Sequence, residues 1–175
     1  SKVYHRFRYL GSLSDKLLGN LPDPWLQLNT DFGLLSQTIV VLKNRPWLVV
    51  RVPFLFRRYK REIESFRETT TDHESAALHK SLYYLYLGRF RFKLWGWLTK
   101  LICPLGDWIM EPFDIARSTI GYAMDIHIHS RIDVMAYRAL ALAYLGKYGD
   151  ATEDLLEIDR IVAALNDNAR TEHWK

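Results

Sequence analysis

The sequence predicts an all-α protein that consists of antiparallel helical hairpins preceded by an extended N-terminal arm. The clearest indication is at residues 134–165, where an apolar helical segment stops at Gly146 and an amphipathic segment follows. Residues 76–102 repeat this pattern in a weaker form around Gly88. The chain of 175 residues is 49% hydrophobic, which favours one packed domain over global disorder.

The predicted arm covers residues 1–33, because Pro22 and Pro24 prevent one continuous helix there. It is expected to lie along a neighbouring subunit or to pack on its own domain. The helical domain is predicted over 34–165. Its first helix is expected over 32–43, with Asp31 as the N-cap.

Residues 47–52 are β-branched and aromatic, so that a short strand, an extended linker and a buried helix turn are all possible. Pro53 then predicts the start of a helix that runs to about Thr69. Its cations precede several glutamates at helix-pair spacing, which fits a self-paired, solvated face. The other interpretation is a patch that binds a partner or an anion through Arg57, Arg58 and Arg61.

The segment 69–72 is predicted to be a turn, with Asp72 capping the next helix. Helical pairs are then expected to continue to residue 165, including a helix over 113–126. The inner face of the last helix is predicted from an apolar stripe, which consists of Ala151, Leu155, Ile158, Val162 and Leu165. Residues 166–175 are predicted to be a polar C-terminal tail.

The hairpin at 134–165 resembles a tetratricopeptide repeat. The similarity rests on Ala139, on the Leu-Gly-x-Tyr turn at 145–148 and on Ala151. It implies paired helices that hold other macromolecules. The weaker copy lies 58 residues earlier (146 minus 88), whereas the family repeats at about 34 residues. The sequence therefore predicts a helical-hairpin domain and not a regular repeat array, and related families such as pentatricopeptide repeats remain alternatives.

Charge is distributed unevenly along the chain. Residues 1–100 hold 17 Lys/Arg against 8 Asp/Glu, whereas residues 101–175 hold 7 against 12. The basic half suits nucleic acid, anionic lipid or an acidic protein face.

Residues 89–97 alternate cations with aromatic side chains. Arg89, Arg91, Lys93 and Trp95 are predicted to bind a partner, and Lys93 and Trp95 are expected to point outward because they lie off the apolar stripe. The pattern suits a protein interface, stacking on RNA bases or contact with a membrane surface. The alternative is that these aromatic side chains pack within the fold.

The sequence offers little to support catalysis. Asp125, His127 and His129 are the most ligand-like group, but they would diverge on a helix. Cys103 is the single cysteine, and no glycine-rich phosphate loop occurs. We therefore predict that the protein is not an enzyme and has no catalytic residues, no bound metal and no cofactor. No stretch is long and apolar enough to predict a transmembrane helix.

These observations predict a non-catalytic accessory or scaffold subunit of a larger assembly, with other protein subunits as its partners. The basic pI, the missing initiator Met and the unpaired cysteine favour a mitochondrial, membrane-peripheral complex of the respiratory chain or the ATP synthase. The alternative is an RNA-binding helical protein or a mitoribosomal component.

Overall fold

The computed structural model describes residues 24–98, 106–121 and 128–172, and within these ranges the chain forms helices and no strand. The prediction of an all-α fold is thus confirmed. One 3₁₀ helix, Pro46–Arg51, precedes the second α-helix. The six α-helices of the described ranges are α1 Pro24–Val41, α2 Val52–Thr69, α3 His73–Leu98, α4 Gly106–Ile120, α5 Ile128–Tyr144 and α6 Tyr148–Glu172.

Each helix packs against the next one along the chain, and α3 also contacts α1 and α5. Two clusters of buried apolar side chains result. The first lies mainly between α1 and α2, and it includes Ala76 and Phe90 of α3. The second lies between α4, α5 and the start of α6, and it includes Leu85 of α3. The long helix α3 therefore belongs to both halves of the core.

Helix α1 begins earlier than the sequence indicated. Residues 24–33 are helical and not part of an extended arm, whereas residues 1–23 lie outside the described residues. Pro24 is tolerated at the first helical position, where the backbone N–H has no helical partner. Asp31 is consequently inside α1 and is not its N-cap. Its carboxylate is buried and accepts a hydrogen bond of 2.9 Å from Arg58 Nε of α2.

Residues 47–52 do not form a strand. Pro46 starts a 3₁₀ helix, and Val52 continues it into α2 with helical angles of φ −57° and ψ −45°. The helix predicted from Pro53 to Thr69 is confirmed as α2. The capping role predicted for Asp72 is also confirmed, because its Oδ1 accepts a hydrogen bond of 3.0 Å from the backbone N–H of Ser75.

The second, weaker hairpin turn does not exist. Gly88 lies inside the continuous helix α3 and is buried. A Cβ atom at this position would be 2.8 Å from Cζ of Phe113. Glycine at residue 88 thus permits the close approach of α4 to α3, and it does not mark a helix end.

The hairpin predicted at 134–165 is confirmed as helix, turn and helix. Gly146 has a φ of +75° between α5 and α6, which is the left-handed conformation that glycine adopts readily. Three of the predicted boundaries differ. Helix α4 starts at Gly106, seven residues before position 113, and ends at Ile120 and not at position 126. Helix α6 continues through most of the predicted tail to Glu172.

Candidate interaction surfaces

Two of the cations predicted to bind a partner connect α3 to its neighbouring helices. The Arg89 guanidinium lies 4.7 Å from the ring centroid of Tyr86 and 4.2 Å from that of Tyr137 on α5. Arg91 Nη1 donates hydrogen bonds to the Trp108 carbonyl at 2.7 Å and to Glu111 Oε2 at 2.8 Å, both on α4. These contacts hold the two arginines within the fold.

Lys93 and Trp95 are half-buried, so the prediction that they point outward is wrong. Lys93 Nζ donates a hydrogen bond of 2.6 Å to the carbonyl of Ile39, in the last turn of α1. A cation is favourable there because a helix C-terminus carries partial negative charge. Burial, and then the charge of Arg89, lower the pKa of Lys93. Trp95 stacks on Phe92 at 6.0 Å between ring centroids.

One arginine of the predicted patch on α2 pairs with another helix, and the other two are exposed. Arg58 pairs with the buried carboxylate of Asp31 and so joins α2 to α1. Burial raises the pKa of Asp31, and the charge of Arg58 opposes this effect. Arg57 and Arg61 are exposed, and neither forms an ion pair with another described residue. Of the seven predicted binding residues, only Arg57 and Arg61 are both exposed and without an ion pair to another described residue.

A row of exposed apolar side chains leads up to those two arginines. Trp47 is 64% exposed, Val50 68% and Phe54 71%, which is unusual for such large apolar groups in a well-packed domain. Residues three apart align in a 3₁₀ helix, and residues three or four apart align in an α-helix. We define the elbow surface as Trp47, Val50, Phe54, Arg57 and Arg61.

The inner side of α6 contains an ion-pair network in place of the predicted apolar stripe. Asp154 is completely buried, and its carboxylate lies 2.6 Å from Arg138 Nη1 and 3.2 Å from Arg117 Nη1. Arg138 Nε also donates a hydrogen bond of 2.8 Å to Asp114 of α4. Asp154 is thus part of the inner side of α6, although it does not belong to the predicted stripe. The network connects α4, α5 and α6 through charge-assisted hydrogen bonds.

Glu157 extends this network by one helical turn. It accepts hydrogen bonds from Arg131 Nη2 at 2.7 Å and from Arg117 Nη2 at 3.4 Å. The hydrogen bond from Arg131 is the main reason why the pKa of Glu157 lies below its ordinary value of 4.5. Helix α6 thus meets its neighbours through carboxylates as well as through apolar side chains such as Ala151.

Several apolar side chains of α6 are exposed. Of the predicted inner stripe, Ala151 is buried and Ile158 and Leu165 are half-buried, but Leu155 is 52% exposed and Val162 41%. Tyr148, Leu155 and Val162 follow at intervals of seven residues, which places them along one line of the helix. Leu156 beside this line is also exposed. We define the outer α6 face as Tyr148, Leu155, Leu156 and Val162.

A cleft of about 540 Å³ lies between α2 and α3. Its rim is mainly basic, and its one carboxylate, Glu64, pairs with Lys60 at 3.8 Å. The other side chains of its lining include Ile63, Arg67, His73, Lys80, Tyr83, Tyr84 and Thr119. These groups can bind an anion, but they contain no arrangement of nucleophile, base and orienting group.

Only part of the predicted ligand-like group lies within the described residues. His129 is exposed on α5, whereas Asp125, His127 and also Cys103 lie outside the described residues. In the described part of the chain, no three His, Cys, Asp or Glu side chains come together in a way that could hold a metal ion. The same part contains no helix with the length and apolar character that crossing a membrane requires.

The sequence did not predict that the apolar side chains of either surface are exposed. One charge pattern in the sequence could have indicated the elbow surface. Residues 32–61 contain seven Lys/Arg and no Asp/Glu. Leu155 and Val162 of the outer α6 face were recognised as members of an apolar stripe but were assigned to the core, and Tyr148 and Leu156 were not part of that stripe. No family model, no curated protein and no solved structure matches this chain. Its function therefore has to be argued from these surfaces.

Proposed function

We propose that this chain is a non-catalytic accessory subunit that joins a larger protein assembly through the outer α6 face. The exposure of Leu155, Leu156 and Val162 on one helix carries this proposal. An exposed line of apolar side chains on a helix is costly in water. Apolar side chains at that position favour burial against another protein.

The chemistry around the outer α6 face indicates the kind of partner that it fits. Asp159 is exposed and lies about 40° around the helix from Leu155, because each residue advances about 100°. A protein surface that combines apolar side chains with Lys or Arg at its edge would complement both properties. The resemblance of 134–165 to a tetratricopeptide hairpin supports the same role, since such hairpins commonly bind proteins. A mitochondrial complex remains our proposed setting, on the basis of the sequence.

The outer α6 face can be tested by placing charge on it. In cells that express the tagged chain at its native level, we expect the double variant Leu155→Glu/Val162→Glu to recover at least about tenfold less partner protein, because buried interface anchors contribute about 2 kcal/mol or more. Recovery is measured by affinity purification with cross-linking and mass spectrometry. Both residues are exposed, so helical content measured by circular dichroism should not change.

Ala164→Glu is the matched control for this experiment. Ala164 is also exposed, and it lies about 180° around the helix from Leu155 because each residue advances about 100°. The control variant should recover as much partner as the unmodified chain. A chain that purifies as a stable monomer, or equal losses in the control and the double variant, would contradict the proposed function.

A further inference from the structure

We infer that the elbow surface binds the anionic surface of a lipid membrane. Trp47, Val50 and Phe54 would enter the interfacial layer, while Arg57 and Arg61 would contact the lipid headgroups. This surface is at the α1–α2 end of the chain and shares no residue with the outer α6 face. The inference is independent of the proposed function.

The backbone arranges the elbow surface as one continuous row. Trp47 and Val50 are three residues apart in the 3₁₀ helix, and Phe54 follows four residues later across a junction that stays helical at Val52. Arg57 and Arg61 continue the row along α2. Phe54 and Arg61 are separated by about 10 Å at a rise of 1.5 Å per residue. Apolar side chains thus occupy one end of the row and cations the other.

Every charged side chain of the segment that leads up to Arg61 is a cation, and Glu62 and Glu64 follow it. Residues 32–61 contain seven Lys/Arg and no Asp/Glu. Arg58 and Lys60 pair with Asp31 and Glu64 from outside that segment. The turn between α1 and the 3₁₀ helix adds Lys43 and Arg45. A positive surface with an apolar tip complements both the anionic headgroup region and the apolar region beneath it.

The aliphatic side chain between the two rings favours a membrane over RNA. Proteins that bind single-stranded RNA place aromatic rings between cations, so that bases stack while phosphates are neutralised. Here the aliphatic Val50 stands between Trp47 and Phe54 in the row, and it offers bases nothing to stack on. Trp at a headgroup boundary and Arg reaching to phosphates are typical of interfacial contacts.

The electrostatic part is tested by vesicle flotation. We expect the intact chain to bind vesicles of phosphatidylcholine mixed with phosphatidylserine, to bind more weakly as salt is added, and not to bind vesicles of phosphatidylcholine alone. Arg57→Gln/Arg61→Gln should lower the affinity about 30-fold, since each cation near the surface contributes about 1 kcal/mol and tenfold corresponds to about 1.4 kcal/mol. Lys147→Gln/Arg160→Gln changes the net charge equally at exposed positions on the other hairpin and should keep the original affinity.

The apolar part has its own matched pair of variants. Phe54 is 71% exposed and Tyr148 is 68% exposed, so that neither contributes much to the core. Phe54→Ala should weaken vesicle binding by about tenfold or more, because a ring that enters an apolar layer gains about 1.5–3 kcal/mol. Tyr148→Ala should have no effect on vesicles. Thermal unfolding of both variants should match that of the intact chain.

Several results would overturn this inference. Absence of binding to the mixed vesicles, equal binding to both kinds of vesicle, or equal losses in the test and control variants would each do so. It would also fail if Arg57→Gln/Arg61→Gln and Phe54→Ala reduced single-stranded RNA binding or self-association and left vesicle binding unchanged. The outer α6 face can fail its own test without affecting any of these results.

Discussion

Gly88 shows how strongly one residue can depend on its tertiary surroundings. In the sequence it resembles the glycine of a hairpin turn, because it follows an apolar helical segment and precedes a cation and an aromatic residue. In the structure it lies in mid-helix with the ring of Phe113 directly above its backbone. The local sequence pattern marks position 88 as one where glycine is required. The requirement itself comes from contact with Phe113, which lies 25 positions away (113 minus 88).

We expect Gly88→Ala to destabilise the protein by about 1–2 kcal/mol. A new Cβ would be 2.8–2.9 Å from three atoms of the Phe113 ring, which is 1% exposed and has little room to move. Overpacking of this kind costs about 1–3 kcal/mol, and it should exceed the gain in helix propensity of up to about 1 kcal/mol. Chemical denaturation measures the free energy of unfolding.

Gly96→Ala provides the control on the same helix. A Cβ at Gly96 would meet nothing within 4 Å, so the substitution should stabilise the protein by up to about 1 kcal/mol through helix propensity alone. If both substitutions stabilise the protein, α4 does not approach α3 at Gly88 as closely as the structure indicates.

At the scale of one element, α6 shows the limit of hydrophobic periodicity. The spacing of Ala151, Leu155 and Val162 correctly indicated a helix, but it did not indicate which side of the helix faces the core. Periodicity records which apolar residues share a face, whereas burial depends on what the neighbouring helices present. Arg117 of α4 and Arg138 of α5 present positive charge, and so α6 buries Asp154.

We expect Asp154→Ala to reduce the free energy of unfolding by about 3 kcal/mol. Removal of one partner from a buried ion pair leaves the other charge uncompensated. The Arg138 side chain is only 14% exposed and cannot be fully hydrated, although Arg117 at 38% partly can. Thermal or chemical denaturation provides the measurement.

Asp159→Ala is the matched control for Asp154→Ala, because Asp159 is an exposed aspartate on the same helix. Its effect should stay within about 0.5 kcal/mol, as is usual for surface substitutions. Similar effects of the two substitutions would show that the network around Asp154 does not stabilise the contact of α6 with α4 and α5.

At the scale of the whole molecule, α3 joins the two apolar clusters. Ala76 and Phe90 are buried in the first cluster and Leu85 in the second, while Tyr86 packs against both. Arg89 and Lys93 add contacts to α5 and α1. Unfolding of either half would therefore expose one side of α3 and weaken the other half.

We expect the two halves to unfold together. Leu35→Ala in the first cluster and Leu142→Ala in the second should each destabilise the protein by about 2–5 kcal/mol, because both leucines are almost fully buried. Each variant should still show one transition, with the same midpoint by tryptophan fluorescence and by circular dichroism. Two separate transitions in either variant would show that α3 does not couple the clusters.

The sequence by itself determined the helical class, helix α2, the Asp72 cap and the Gly146 turn. These features depend on residues within a few positions of one another, and local propensity governs them. Only the tertiary structure decided which faces are buried. Arg91, Lys93 and Trp95 pack within the fold, while Phe54 and Leu155 stay exposed, because burial is set by distant helices that local spacing does not record.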